Sequence, residues 1–138
     1  MATAGVTAGV GTALVRRAVW AVLHGERAQP ATIHVNFLSS QRMRALNRRT
    51  FGRDCSTDVI AFGLAHDGRV IGDVYVCPPA ARSFARSSGV ALREELVRVI
   101  VHGTLHVLGY DHPDHAGSDR SKMWRRQERY VRRVLERP

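Results

Sequence analysis

Two periodicities of apolar residues organise the chain. From Thr12, the residues Leu14, Val15, Val19, Val22 and Leu23 recur at helical spacing and stop near Gly25, which predicts an amphipathic helix. After Gln29-Pro30, Ile33, Val35 and Phe37 alternate with His34 and Asn36, the period-two pattern of a half-buried strand that turns His34 away from the core. Ser39-Ser40 opens a short helix carrying Met43, Leu46 and Phe51, which ends in the loop Gly52-Arg53-Asp54-Cys55-Ser56. Asp58 to Phe62 and Val70 to Val76 read as a hairpin joined through Ala65-His66-Asp67-Gly68, where Asp-Gly favours a tight turn. Pro78-Pro79 is expected to stop the second strand, a helical piece covers Ala80 to Ser87, and Gly89 breaks the chain. From Ala91, Leu96, Val97, Ile100, Val101, Leu105 and Leu108 form the most apolar helix, ending at Gly109, and this is the expected central helix. Ser118 is the expected N-cap of a last helix with Met123, Tyr130, Val131, Val134 and Leu135 on one stripe and Arg on the other face. Residues 1–11 offer little to pack and are expected to be loose.

Length and composition narrow this picture. A chain of 138 residues with 44% hydrophobic content has the size of one domain and can sustain a core without a disulfide framework. No apolar run reaches the roughly 18 residues of a membrane helix, because Arg16, Arg17 and His24 interrupt the best candidate. The N-terminal stretch lacks the basic and apolar regions of a secretory signal, so the expected location is cytoplasmic. There, Cys55 and Cys77, which fit no close metal or redox spacing, are expected to remain structural thiols. The net charge of +9 is carried by Lys and Arg, nearly all Arg, whose planar guanidinium suits phosphate, and it favours an anionic partner.

The residues with the most distinctive chemistry lie on the central helix. In the segment HGTLHVLGYDH, His102 and His106 are four residues apart, about 40° around the axis, and project from one face. Gly109 ends the helix, and the turn through Tyr110-Asp111 lets His112 return toward the same point as a third nitrogen ligand. Three neutral imidazoles suit zinc and leave a fourth position for water, the arrangement of a catalytic site. The plainer reading is three ordinary histidines satisfied by hydrogen bonds, but a composition with 7 His makes this triple spacing rare by chance. His115 follows in a polar loop as a possible competitor, whereas His24, His34 and His66 are expected to face solvent. An HExxH metalloprotease requires Glu directly after the first histidine, and here that position is Gly103. The proton acceptor is therefore sought at Asp111, which either takes the proton or orients a ligating histidine.

The histidine segment resembles the signature of the bacterial YbeY family, metal-dependent endoribonucleases of ribosomal RNA maturation and ribosome quality control. Leu46-Asn47, Thr57-Asp58-Val59-Ile60-Ala61-Phe62 and Gly72-Asp73-Val74 are similar to the family's LN, TDVLSF and GDI segments, and Met123 and Gln127-Glu128 fall where the family has Met and Gln-Glu. The likeness runs from Ile33 to Val134. It implies an α+β domain in which a small mixed four-stranded β-sheet packs with helices around a central metal-bearing helix. It further implies one zinc per chain on His102, His106 and His112, with single-stranded RNA at the 3′ end of 16S ribosomal RNA as substrate and the small ribosomal subunit as partner; protein partners are not identified. One departure stands out: the family's catalytic arginine, in a YRG-like segment, is replaced in register by Phe51 within Thr50-Phe51-Gly52, and the family's Pro before Thr-Asp is Ser56. Arg48, Arg49 or Arg53 is then required to supply the missing cation, and Arg53 is the candidate taken here.

Phosphodiester cleavage needs positive charge at the nonbridging oxygens and an activated nucleophile, and a bound zinc supplies both. Water and a ribose 2′-hydroxyl are equally consistent nucleophiles. Arg49, Arg53, Arg82, Arg86, Arg125-Arg126 and Arg132-Arg133 are candidates for tracking a phosphate backbone, although each taken singly is more simply a solvated charge. Several aromatics fall in core registers, so little base stacking is expected. Two other readings remain: a zinc hydrolase of amides or esters, and a non-catalytic ribosome-binding factor braced by a structural metal.

Overall fold

The computed structural model describes residues 11–28, 30–110 and 118–136. The elements run α1 (Thr12–Gly25), β1 (Ala31–Phe37), α2 (Ser40–Phe51), β2 (Val59–His66), β3 (Arg69–Val76), α3 (Pro78–Ser88), α4 (Leu92–Val107) and α5 (Ser118–Glu136). The architecture is α+β, with a mixed sheet in the order β1-β3-β2: β1 pairs parallel to β3, and β2 pairs antiparallel to it. The expected fourth strand does not occur among the described residues. The residues themselves predict three strand segments, each of which forms one strand, and the fourth was implied by the resemblance alone.

Local chemistry explains most boundaries. Ser39 caps α2 by accepting a hydrogen bond from the Arg42 backbone N–H at 3.2 Å. In the β2–β3 turn, Asp67 and Gly68 both have positive φ, 50° and 70°, the requirement of a type I′ hairpin that Asp-Gly meets cheaply. With the turn only two residues long, β2 continues to His66 instead of stopping at Phe62 as expected. The two prolines do not lie before α3 but open it, because its first turn needs no backbone N–H from them. Cys77, buried, and Cys55, exposed, are both free thiols as expected.

One face of the sheet is covered by helices. Ile33, Val35, Phe37, Val74 and Val76 share a core with α1, α4 and α5, in which Leu96, Ile100 and Leu105 are fully buried. Each such side chain contributes about 1.5–3 kcal/mol relative to exposure. A smaller cluster of Leu38, Met43, Ile60 and Cys77 lies beneath α2. Helix α4 touches α1, α3, α5, β2 and β3, so the residues along it meet side chains from most of the fold.

A polar knot ties three of these helices together. Just beyond α1, the Glu26 carboxylate accepts hydrogen bonds from the Tyr110 hydroxyl at 2.6 Å, from the Tyr130 hydroxyl, and from Arg126 Nη1 at 3.0 Å. Burial alone would raise the Glu26 pKa, but these donors outweigh it and hold the group below its ordinary value. The Tyr130 hydroxyl is pushed up to about 12 by its burial and by Glu26. Glu26→Gln is expected to destabilise the fold by about 2 kcal/mol at neutral pH, the scale of a hydrogen-bonded charge. Because the folded pKa lies below the ordinary one, this stability is present above the ordinary carboxylate range and is lost as pH falls through the folded value. Urea denaturation should therefore show the gap between the two proteins closing as pH falls below the ordinary carboxylate range, and a gap that does not change with pH would contradict this account.

Candidate active site

Helical spacing on α4 places Glu94, Glu95, Arg98, His102 and His106 along one side. The His102 and His106 rings meet edge to face, with centroids 4.5 Å apart and planes at 75°. Their Nε2 atoms are 2.9 Å apart. From α5, Gln127 Oε1 lies 2.6 Å from His102 Nδ1, while Gln127 Nε2 donates to Glu128 Oε2 at 3.0 Å. Glu128 can only accept, so it fixes which end of the amide faces His102. Oε1 is therefore the acceptor and Nδ1 carries the proton, which leaves Nε2, turned toward His106, as the nitrogen that offers a lone pair whenever the ring is neutral.

Glu128 is itself pinned. Arg98 donates to it through Nε at 2.8 Å and Nη2 at 2.9 Å, and also reaches Glu95 at 3.1 Å and Glu94 at 3.0 Å. The Arg98 hydrogen bonds lower the Glu128 pKa against the effect of burial. Glu95 shifts the other way, because its burial outweighs the contacts with Arg98. A cleft of about 250 Å³ opens beside this network, lined among others by Asp58, Phe84, Arg98, His102, Trp124 and Gln127.

This donor set fits a zinc ion. Two imidazole nitrogens bound to tetrahedral zinc at about 2.0–2.1 Å lie roughly 3.3 Å apart, close to the observed separation, and an amide oxygen holding Nδ1–H is the usual outer partner of a ligating histidine. Among the described residues no third His, Cys, Asp or Glu joins the pair. The expected ligand His112 and the expected catalytic residue Asp111 lie outside the described residues, as does His115.

Packing accounts for the missing protease glutamate. A Cβ at Gly103 would sit 2.6 Å from Val74 Cγ1 and 3.1 Å from Val59 Cγ2, so α4 rests directly on the sheet there and leaves no room for a side chain.

The other expected site residues are dispersed. Arg53 is exposed in the loop after α2, Phe51 is exposed at the end of that helix, and neither lines the cleft. Arg48 stands 3.9 Å from Asp54, which Arg44 also holds. Arg49, Arg82, Arg86, Arg125, Arg132 and Arg133 are exposed, whereas Arg126 pairs with Glu26. His24 and His66 are exposed as expected, and His34 lies half-buried, 3.6 Å from Asp73. The expectation of few stacking surfaces is corrected: Trp20, Phe51, Phe62, Phe84 and Trp124 are all exposed, because they lie on the polar faces of their elements. Sequence reasoning assigned no role to Arg98, Glu95 or Gln127. The four-residue interval from Arg98 to His102 was a usable signal, but the partners on α5 were not.

Comparison with known proteins brings independent findings. Residues 9–135 match the family described as Endoribonuclease YbeY. The chain is 34% identical over 123 residues to Endoribonuclease YbeY of Chlorobium luteolum, covering 89% of this chain and 88% of that protein. It is 36% identical over 104 residues to the protein of the same description from Thermotoga maritima, covering 74% and 68% respectively. A solution structure of a Thermotoga maritima protein superposes with a TM-score of 0.67 at 28% identity, covering 96% of this chain and 86% of that one.

Proposed function

Because this chain belongs to the YbeY endoribonuclease family, and is thus a hydrolase with RNA as substrate, we propose that it is a zinc-dependent, single-strand-specific endoribonuclease. Its place is the cytoplasm, in maturation of the 16S ribosomal RNA 3′ end and in ribosome quality control at the small subunit. One zinc per chain is held by His102, His106 and His112, with Asp111 and Arg53 assisting the chemistry.

The observation that carries this reading is the His102–His106 pair, with Nε2 atoms 2.9 Å apart and His102 locked by Gln127 into the tautomer that a metal requires. When bound, zinc supplies Lewis acidity and a water acidified to a pKa near 7. The protein's own residues do the rest. Gln127 keeps the His102 lone pair aimed, and Arg53 balances charge on a nonbridging phosphate oxygen. Asp111 either accepts the proton of the nucleophile or orients His112. Phe84 and Trp124, exposed beside the cleft, offer flat faces to unpaired bases, which supports preference for single strands.

Stripping metal with a chelator is expected to abolish cleavage of single-stranded RNA, and one equivalent of zinc is expected to restore it. Double-stranded RNA should remain intact throughout. Full activity after verified metal removal would end the proposal. Products bearing 5′-phosphate would assign water as nucleophile, and 2′,3′-cyclic phosphate would assign the ribose hydroxyl.

A further inference from the structure

The histidine cleft is poorly suited to capture RNA by itself. Its cation Arg98 is engaged by Glu94, Glu95 and Glu128, and Asp58 lies on the same lining, so carboxylates there outnumber guanidinium groups. Yet the chain carries a net charge of +9, which must act somewhere else.

A second cavity, of about 510 Å³, lies between α1 and α5. Its lining includes Arg16, Arg17, Trp20, His24, Arg133 and Val134, and no carboxylate among the described residues. Trp20 is 51% exposed, and its ring stacks on His24 with centroids 4.4 Å apart and planes within 9°. Arg16, Trp20 and His24 follow one another at four-residue intervals, so a cation, an indole and an imidazole share one ridge of α1. Arg17 Nη2 donates to the Val134 carbonyl at 2.9 Å and braces the two walls. Arg16 and Arg133 are exposed at this cavity.

We infer that the α1–α5 cavity is a second RNA-binding site, separate from the histidine cleft, in which Trp20 stacks on an unpaired base and Arg16 and Arg133 hold the adjoining phosphates. A flat aromatic face supported from below, flanked by guanidinium groups, is the recurring design for gripping single strands without reading sequence. The site is distinct by geometry. No residue that lines this cavity lines the histidine cleft, and on α5 Arg133 lies nine residues beyond Trp124, about 13 Å along the axis. A strand long enough to run along α5 engages both, and the second contact then raises the effective concentration of RNA at the first.

The test is binding rather than cleavage, so its outcome is independent of whether the histidine site is a zinc centre. The full chain is titrated with a fluorescent 12-nucleotide 2′-O-methyl strand, read by anisotropy over a series of salt concentrations. Trp20→Ala is expected to weaken binding roughly tenfold. The double variant Arg16→Glu/Arg133→Glu is expected to weaken it at least as much and to make the plot of log affinity against log salt shallower by about 1.4, the value for two single-strand phosphates. All three positions are exposed, and matching thermal melts will show that the variants are folded. Affinities and salt slopes equal to those of the parent would overturn the inference. So would loss of binding to phosphatidylglycerol vesicles with strand binding untouched, which would assign the cavity to a membrane surface.

Discussion

Alanine in place of His106 is expected to lower RNA cleavage by roughly a thousandfold while leaving the melting temperature within a few degrees of the parent. The chemical contribution of a metal site amounts to several kcal/mol, and each 1.36 kcal/mol is a factor of ten in rate. His106 is only half-buried and its ring meets that of His102 outside the apolar core, so the core loses little. Zinc content by mass spectrometry under native conditions should fall together with activity. A variant that cleaves at the parental rate and retains its zinc would remove His106 from the centre, and would require the ion to be held elsewhere.

The largest stability effect is expected from Arg98→Ala, at about 3–5 kcal/mol, the range for breaking one side of a buried ion pair. Arg98 is the common donor to Glu94, Glu95 and Glu128, and the Glu95 side chain is only 3% exposed. Without the guanidinium, Glu128 loses the group that fixes it, the Gln127 amide is free to turn over, and His102 no longer has a defined tautomer. Activity should therefore fall beyond what the loss of folded protein explains. The pH dependence has a definite sign. Arg98 lowers the Glu128 pKa, so its stabilisation is present above the ordinary carboxylate range and is lost as pH falls through the folded value. Denaturant titrations should show the variant and the parent converging in acid, and parallel curves at every pH would contradict this coupling.

What was legible in the sequence was whatever depends on neighbours close along the chain. The 3.6-residue period gave α1 its limits at Thr12 and Gly25, the Asp67-Gly68 pair gave the hairpin, and the four-residue interval put His102 and His106 on one face. The polar partners were not legible, because they join residues far apart in sequence. Arg98 meets Glu128 across 30 positions and Glu26 meets Tyr130 across 104, and no local pattern encodes such a pairing. Pro78 and Pro79 do stop β3 after Val76 as expected, but the start of α3 was placed two residues late at Ala80, because a strand terminator can also serve as a first-turn helix residue. The exposure of Trp20 and Trp124 was missed for a different reason. An aromatic residue counts as apolar in any periodicity, yet these two fall outside the buried stripes of their helices.

The bare position after His102 also bears on how this scaffold can be re-engineered. Installing the glutamate of a zinc peptidase at Gly103 would force its side chain into Val74 and Val59, and the variant would fail before its chemistry could be assayed. The order of substitution therefore matters: trimming Val74 must come first, and its own cavity cost must be tolerated, before any carboxylate at 103 can be accommodated. Single-step mutational scans would score both changes as harmful, and the route between the two hydrolase chemistries would stay hidden from them.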